Sequence, residues 1–209
     1  METLQTRARE LGELAATAQL AALRAQINPH FLFNSLNSIA QLIHVDPAKA
    51  EACVERLAEI FRYLLNRAEQ EFVPLSEELQ MTNAYLEIER ARFDERLRVE
   101  THVDPGALRQ LIPNLVLQPL VENAVVHGIA GLVEGGVIRL DISRRNGSLS
   151  IAIENPRDDD EPVAVTRGTG LNNVRRRLAV MFGPDARLET HAEPGSFRAQ
   201  IELPWSAND

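Results

Sequence analysis

The chain has 209 residues, 44% hydrophobic and 25% charged, with a formal net charge of −8. That composition fits a globular protein with a core of its own. The acidic balance argues against nucleic acid as a direct partner, since phosphate backbones attract basic surfaces. The single cysteine, Cys53, excludes an internal disulfide and a cysteine-rich zinc site, and points to a reducing compartment. No run of about 18 apolar residues occurs, so no membrane span is expected, and no secretory leader pattern is present.

Residues 2 to 44 have helical periodicity, with Leu4, Leu11, Leu14, Ala18, Ala21 and Ala25 on one face. The stretch QINPHFLFNSLN, Gln26 to Asn37, interrupts it with Pro29, His30 and three asparagines, Asn28, Asn34 and Asn37. Proline costs a helix interior about 3 kcal/mol, and asparagine competes for backbone hydrogen bonds. Gln26, His30 and Asn34 recur every four residues and share a face. The stretch reads either as a polar notch at a kink or as an exposed imidazole held by amides. Histidine titrates near neutral pH and can carry a phosphoryl group. Asp46-Pro47 reads as an N-cap followed by proline at the first helical position. A second helix over 47–69 would bury Cys53, Leu57, Ile60, Phe61 and Leu64. Such a hairpin has too little core to stand alone and is expected to pair with a second copy as a four-helix bundle.

A helix is predicted from Ser76, as N-cap with Glu77 and Glu78 in the first turn, to Phe93. On it, Glu89 and Arg92 read as surface pairing. Leu97–Val103 alternates like a strand, and Pro113–Ile129 reads as an apolar helix. Val137–Arg145 and Leu149–Glu154 alternate around Asn146-Gly147, a strong hairpin signal. Residues 156 to 168 form a polar loop, Leu171–Phe182 a helix, and Arg187–His191 with Phe197–Leu203 a last hairpin. Together these make an antiparallel or mixed sheet with helices on one face.

Three clusters carry candidate chemistry. QPLVENAVVHG, Gln118 to Gly128, sets Asn123 on an otherwise apolar helix; alone it reads as a satisfied core amide. GTGLNNVRRRL, Gly168 to Leu178, places glycines before a helix, where backbone N–H groups and the helix N-terminus favour an anion. IENP, Ile153 to Pro156, closes a strand before the polar loop. Arg175, Arg176 and Arg177 read as a solvated helix face. His44, His102 and His191 show no metal-ligand spacing.

In this order, QINPHFLFNSLNSI, FVPLSEELQMTNAYLEIERARFDERL, PLVENAVVHG and GTGLNNVRRRL resemble the LytS-like sensor histidine kinases over residues 20 to 204. The likeness is nearest to the branch typified by the alginate sensor AlgZ. The resemblance implies an α+β chain: a dimeric helical hairpin with the phosphoacceptor (1–72), a connecting helix (73–96) and a Bergerat-type, or GHKL, ATP-binding sandwich (97–209). His30 would be phosphorylated, with Asn34 orienting a water or a phosphoryl oxygen. Asn123 would hold Mg²⁺, which prefers oxygen ligands. Gly168, Thr169, Gly170 and Leu171 would cradle the phosphates of ATP, and residues 156 to 168 would be a lid. The segment near residues 70 to 76 would let the sandwich swing. The implied partners are a second copy and a response regulator, of LytTR type in the family. The implied place is the cytoplasm, beneath an inner-membrane sensor whose membrane segments lie upstream.

Three departures stand out. Asn155-Pro156 replaces the family's aspartate-glycine pair at the adenine contact; an amide oxygen still accepts, without charge. Val126 stands where a lysine is common, leaving His127 to supply a phosphate or ribose contact. Phe31 follows His30 where many histidine kinases have an acid. The rival expectations are a pseudokinase scaffold and a GHKL ATPase; the latter would need a carboxylate where Pro119 stands.

Overall fold

The computed structural model describes residues 29–67, 69–145, 147–158 and 169–205, with the backbone alone at Thr169. The helix expected before Pro29, the site residue Gly168 and most of the expected lid lie outside these residues. The chain divides into two compact units, Met1–Glu69 and Gln70–Asp209.

The first unit is a hairpin of α1, Pro29–Val45, and α2, Pro47–Arg67. Asp46 caps α2: its carboxylate accepts from the Lys49 amide at 3.1 Å. Phe31, Ser35 and Ile39 are buried on α1, as are Ala50, Cys53, Leu57, Ile60 and Leu64 on α2; both sets follow helical spacing and form the seam between the helices. Phe61 is half-buried. A second apolar set is left out of that seam: Phe33, Leu36, Ile43, Val54 and Leu65 are each about half exposed or more.

The second unit begins with β1, Phe72–Pro74, followed by α3, Leu75–Phe93, and β2, Leu97–Val103. Then come β3, Leu111–Pro113, and α4, Gln118–Gly128. β4, Gly136–Arg145, and β5, Ser148–Pro156, pair as the expected hairpin, with Arg145 opposite Ser148. It is followed by α5, Thr169–Phe182, and the hairpin of β6, Arg187–Glu193, and β7, Ser196–Pro204. The sheet order is β2-β4-β5-β7-β6, with β2 parallel to β4 and the other pairs antiparallel. The sheet is therefore mixed. α4 lies over β4 and β5, α5 over β6, and α3 against α4 and β2. Leu149, Ile151 and Ile153 of the central strand are at most 1% exposed. Ion pairs mark another part of the sheet: Arg139 bridges Glu100 and Glu154 across three strands, and Arg198 reaches Glu154 from a fourth.

Two expected boundaries are corrected. Ser76 is not the cap of α3. The helix starts at Leu75, and the Leu75 and Ser76 amides donate to the carbonyls of Gln110 and Leu108 instead. Backbone partners from a remote loop thus do what a side-chain cap would have done. The helix expected over 113–129 starts only at Gln118, because Leu111–Pro113 pairs with Phe72–Pro74. Between them Leu115 takes a left-handed φ of 55°. Glu78, wholly buried, holds this turn by accepting from the amides of Leu115, Val116 and Leu117 at 2.7, 3.0 and 3.1 Å.

Candidate functional site

On α1, one residue along from the buried stripe at Phe31 and Ser35, His30 is exposed. The Asn34 amide nitrogen lies 3.2 Å from each imidazole nitrogen, and the tautomer decides which one accepts. The four-residue spacing therefore does what the sequence suggested: it puts an amide against the ring. Ser35 turns inward and donates to the Phe31 carbonyl at 2.8 Å, fixing this turn of helix beneath the imidazole.

The second cluster gathers on α4. Pro119, Asn123 and His127 recur every four residues on the accessible side of the helix; Pro119 and Asn123 are half-buried and His127 is exposed. Leu120, Val121, Ala124 and Val125 are buried on the other side. At one end of α4, Gly170 meets Pro119: a Cβ built on Gly170 would stand 3.5 Å from the Pro119 Cβ. At the other end, Asn155 fills the space that a side chain at Gly128 would need, its amide nitrogen 2.4 Å from such a Cβ. Asn155 is 2% exposed and donates from Nδ2 to the Pro156 carbonyl at 2.7 Å, so its amide has a set orientation. Three motifs far apart in sequence are thus brought to one helix.

The residues present fit a nucleotide with its metal. α5 is 14 residues long and begins at Thr169, so its first amides lack intrahelical partners and favour an anion. Asn123, half-buried, carries an amide oxygen, the type of donor Mg²⁺ takes while keeping several waters. Among the described residues no cluster of three or more His, Cys, Asp or Glu could hold a metal by itself.

Behind Asn123 lies a polar layer that the sequence did not reveal. Gln118 donates to Glu122 at 2.9 Å. Tyr85 and Glu89 of α3 are both 2% exposed, so Glu89 is not a surface residue. Burial pushes the Glu89 carboxyl up, and Arg92, bonded to it at 3.2 Å, only partly offsets this. Burial also raises the Tyr85 phenol, with Glu89 and then Glu122 adding to the effect. The arginine run is corrected in the same way. Arg176 alone is exposed; Arg175 donates to Asn172 at 2.7 Å, and Arg177 turns inward to the Asn114 carbonyl at 2.6 Å.

These features, a helical hairpin with an exposed histidine and an α/β sandwich with its motifs on one helix, have the arrangement of histidine kinase cores. Comparison with solved structures agrees on the fold. The histidine kinase domain of the Erythrobacter litoralis blue-light-activated kinase superposes with a TM-score of 0.50 at 17% identity, over 90% of this chain and 91% of that one. The catalytic domain of the histidine kinase ThkA gives 0.50 at 19% identity, over 65% of this chain and 99% of its own. The histidine kinase family model matches residues 18–97. Sensor histidine kinase BtsS of Escherichia coli is 39% identical over 90% of this chain, and sensor protein LytS of Staphylococcus epidermidis 31% over 94%. The chain belongs to the LytS-like sensor histidine kinases. It spans about a third of the length of these relatives, 34% and 35%.

Proposed function

We propose that this chain is the catalytic core of a two-component sensor, taking a phosphoryl group from ATP onto His30 and passing it to an aspartate of a response regulator. The observation that carries the reading is the convergence on α4: Gly170 against Pro119 and Asn155 against Gly128, with Asn123 between them. In this reading Asn123 holds Mg²⁺ through its amide oxygen, and Gly168, Thr169, Gly170 and Leu171 bind phosphate through backbone amides. Asn155 meets the adenine, and His127 takes the ribose or phosphate contact that Val126 cannot make. Bound Mg-ATP supplies the phosphoryl group and the charge that neutralises it.

His30 supplies the nucleophile. An N–P bond forms at one imidazole nitrogen as the bond from the terminal phosphorus to its bridging oxygen breaks, and ADP leaves with that electron pair. Asn34 sets the ring. Its Nδ2, 3.2 Å from each imidazole nitrogen, donates to the unprotonated one and so holds the neutral ring in place for attack.

The exposed apolar set on α1 and α2 supports a homodimer whose second copy completes a four-helix bundle. A response regulator, of LytTR type, is the proposed acceptor. The proposed location is the cytoplasmic side of an inner membrane, with the membrane segments upstream. Among the described residues no helix is long and apolar enough to cross a membrane.

Autophosphorylation with γ-labelled ATP and Mg²⁺ tests the reading. The expected label is acid-labile and alkali-stable, and is lost in His30→Gln. A label that survives in His30→Gln, or wild-type protein that binds no nucleotide, overturns it.

A further inference from the structure

We propose that Arg177 is a positioning residue that ties the nucleotide-binding helix α5 to the stretch by which the second unit leaves the first. The inference rests on the reading of the α5 N-terminus as a phosphate site, and names how occupancy there reaches the rest of the chain.

α5 begins at the glycine motif, and two turns later Arg177 faces the interior. Its Nη2 donates to the Asn114 carbonyl at 2.6 Å. Asn114, 9% exposed, reaches the other way: its backbone amide donates to the Glu71 carbonyl at 3.0 Å, and its Nδ2 to the Gln70 carbonyl at 3.1 Å. A second contact runs in parallel, for Phe182 at the end of α5 meets Phe72 edge to face, with ring centres 5.9 Å apart. α5 therefore reaches this stretch twice, at Phe72 directly through Phe182 and at residues 70–71 through Arg177 and Asn114. The same junction leads into α4. The turn after Asn114, held by Glu78 and strained at Leu115, runs straight into the helix that carries Asn123. Strain of this sort persists only where the surroundings over-determine it, and it gathers at switch regions.

The contact is a costly one for packing alone. Arg177 is half-buried, and its Nε, shut off from solvent, has no hydrogen-bond partner among the described residues. An apolar side chain would fill such a place at less cost. Burial lowers the Arg177 pKa, and Glu78 and then Glu71 oppose that, which identifies the two carboxylates that hold its charge. Arg177 thus stands between a glutamate that shapes the entry to α4 and one on the connecting stretch. Any change in the direction of residues 70–72 shifts the Asn114 carbonyl, and with it the α5 end of the phosphate site. Linkage makes the effect reciprocal.

The experiment uses the full chain, with Mg²⁺ and a non-hydrolysable ATP analogue as probe. The readout is hydrogen exchange at the Asn114 amide, which donates to Glu71, and at residues 170–172. In wild-type protein the nucleotide is expected to slow exchange at Asn114 about fivefold or more. In Arg177→Met the nucleotide is expected still to bind and to protect residues 170–172, while Asn114 no longer responds and phosphorylation of His30 slows about tenfold at saturating ATP. Arg177→Lys is expected to recover part of the response. Should Arg177→Met fail to fold, Asn114→Ala, which removes the side-chain bond to Gln70 and keeps the backbone amide and carbonyl, carries the same expectation for residues 69–71. Nucleotide binding without any change at Asn114 in wild-type protein overturns the proposal, as does a variant that loses binding and stability in proportion. Absence of nucleotide binding by wild-type protein overturns the underlying site reading, and the proposal with it.

Discussion

Gly128 and Asn155 compete for one space: a Cβ on Gly128 would lie 2.4 Å from the Asn155 amide nitrogen and 2.6 Å from its Cβ. The end of α4 and the end of β5 can approach this closely only because one of the two residues lacks a side chain. Gly128→Ala is therefore expected to push Asn155 aside. Overpacking costs about 1–3 kcal/mol, against about 1 kcal/mol gained in helix propensity. Urea unfolding is expected to show a net loss of stability, and titration with Mg-ATP a weaker affinity. Unchanged affinity would detach Asn155 from the nucleotide site.

Restoring the family's acid at the same place is expected to do harm. Asn155 donates to the Pro156 carbonyl, and a carboxylate there can only accept. Asn155→Asp is expected to lower stability at neutral pH by about 1–3 kcal/mol, one lost bond plus a buried repulsion. Equal or greater stability in denaturant melts would show that the Asn155-Pro156 pair is not locked as described.

Glu89 gives a pH dependence with a definite sign. Burial raises its folded pKa above the ordinary carboxyl value of 4.5. Below that value both states hold the proton and Glu89 has no effect. As pH climbs through the window between the unfolded and folded values, the unfolded state releases its proton first, so stability falls. Glu89→Gln is expected to flatten this slope in melts taken between pH 4.5 and 8, with the largest relative gain at the alkaline end. A slope identical to wild type would contradict the burial argument.

The apolar stripe on the first unit predicts assembly. Phe33 is 68% exposed and Leu36 49%. Phe33→Glu is expected to convert a dimer to monomers in sedimentation experiments and to leave Mg-ATP binding by the second unit intact. A monomeric wild-type chain would remove the bundle proposal.

Asn34 is expected to matter to rate more than to affinity. Asn34→Ala removes the amide that holds the His30 ring. Losing one such hydrogen bond is worth about 1 kcal/mol, or roughly five- to tenfold in the phosphorylation rate. If phosphotransfer and phosphatase activities both stay at wild-type levels, Asn34 has no role in the reaction.

Local patterns told much of this in advance. The hairpin signalled between Val137–Arg145 and Leu149–Glu154 forms, with Arg145 opposite Ser148, and the last hairpin forms as β6 with β7. The Asp46-Pro47 cap forms as the residue types require. What the sequence hid is long-range. Glu78 reads as an acid that suits a helix dipole, yet its carboxylate serves three amides nearly forty residues away. Glu89, Arg175 and Arg177 read as solvated charges because their partners come from elsewhere or their burial comes from packing. Ser76 lost its expected role to carbonyls of the 108–110 loop, and the β1–β3 pair shortened α4 because three-residue strands leave no periodicity to read. The residues on α4 were legible as motifs; their meeting through Pro119 and Gly128 was not.

The placement of α3 sets where this chain can be cut and rejoined. Leu75, Leu79, Tyr85, Leu86 and Ile88 are all buried, within the unit that begins at Gln70. A fragment starting at Leu97 would carry the sheet and both motif helices and yet lack those side chains. It would also strip Glu78 from the turn that starts α4. Recombination between sensors of this kind therefore conserves the sandwich only if the splice falls ahead of residue 70, so that α3 travels with the helices it supports rather than with the hairpin it follows.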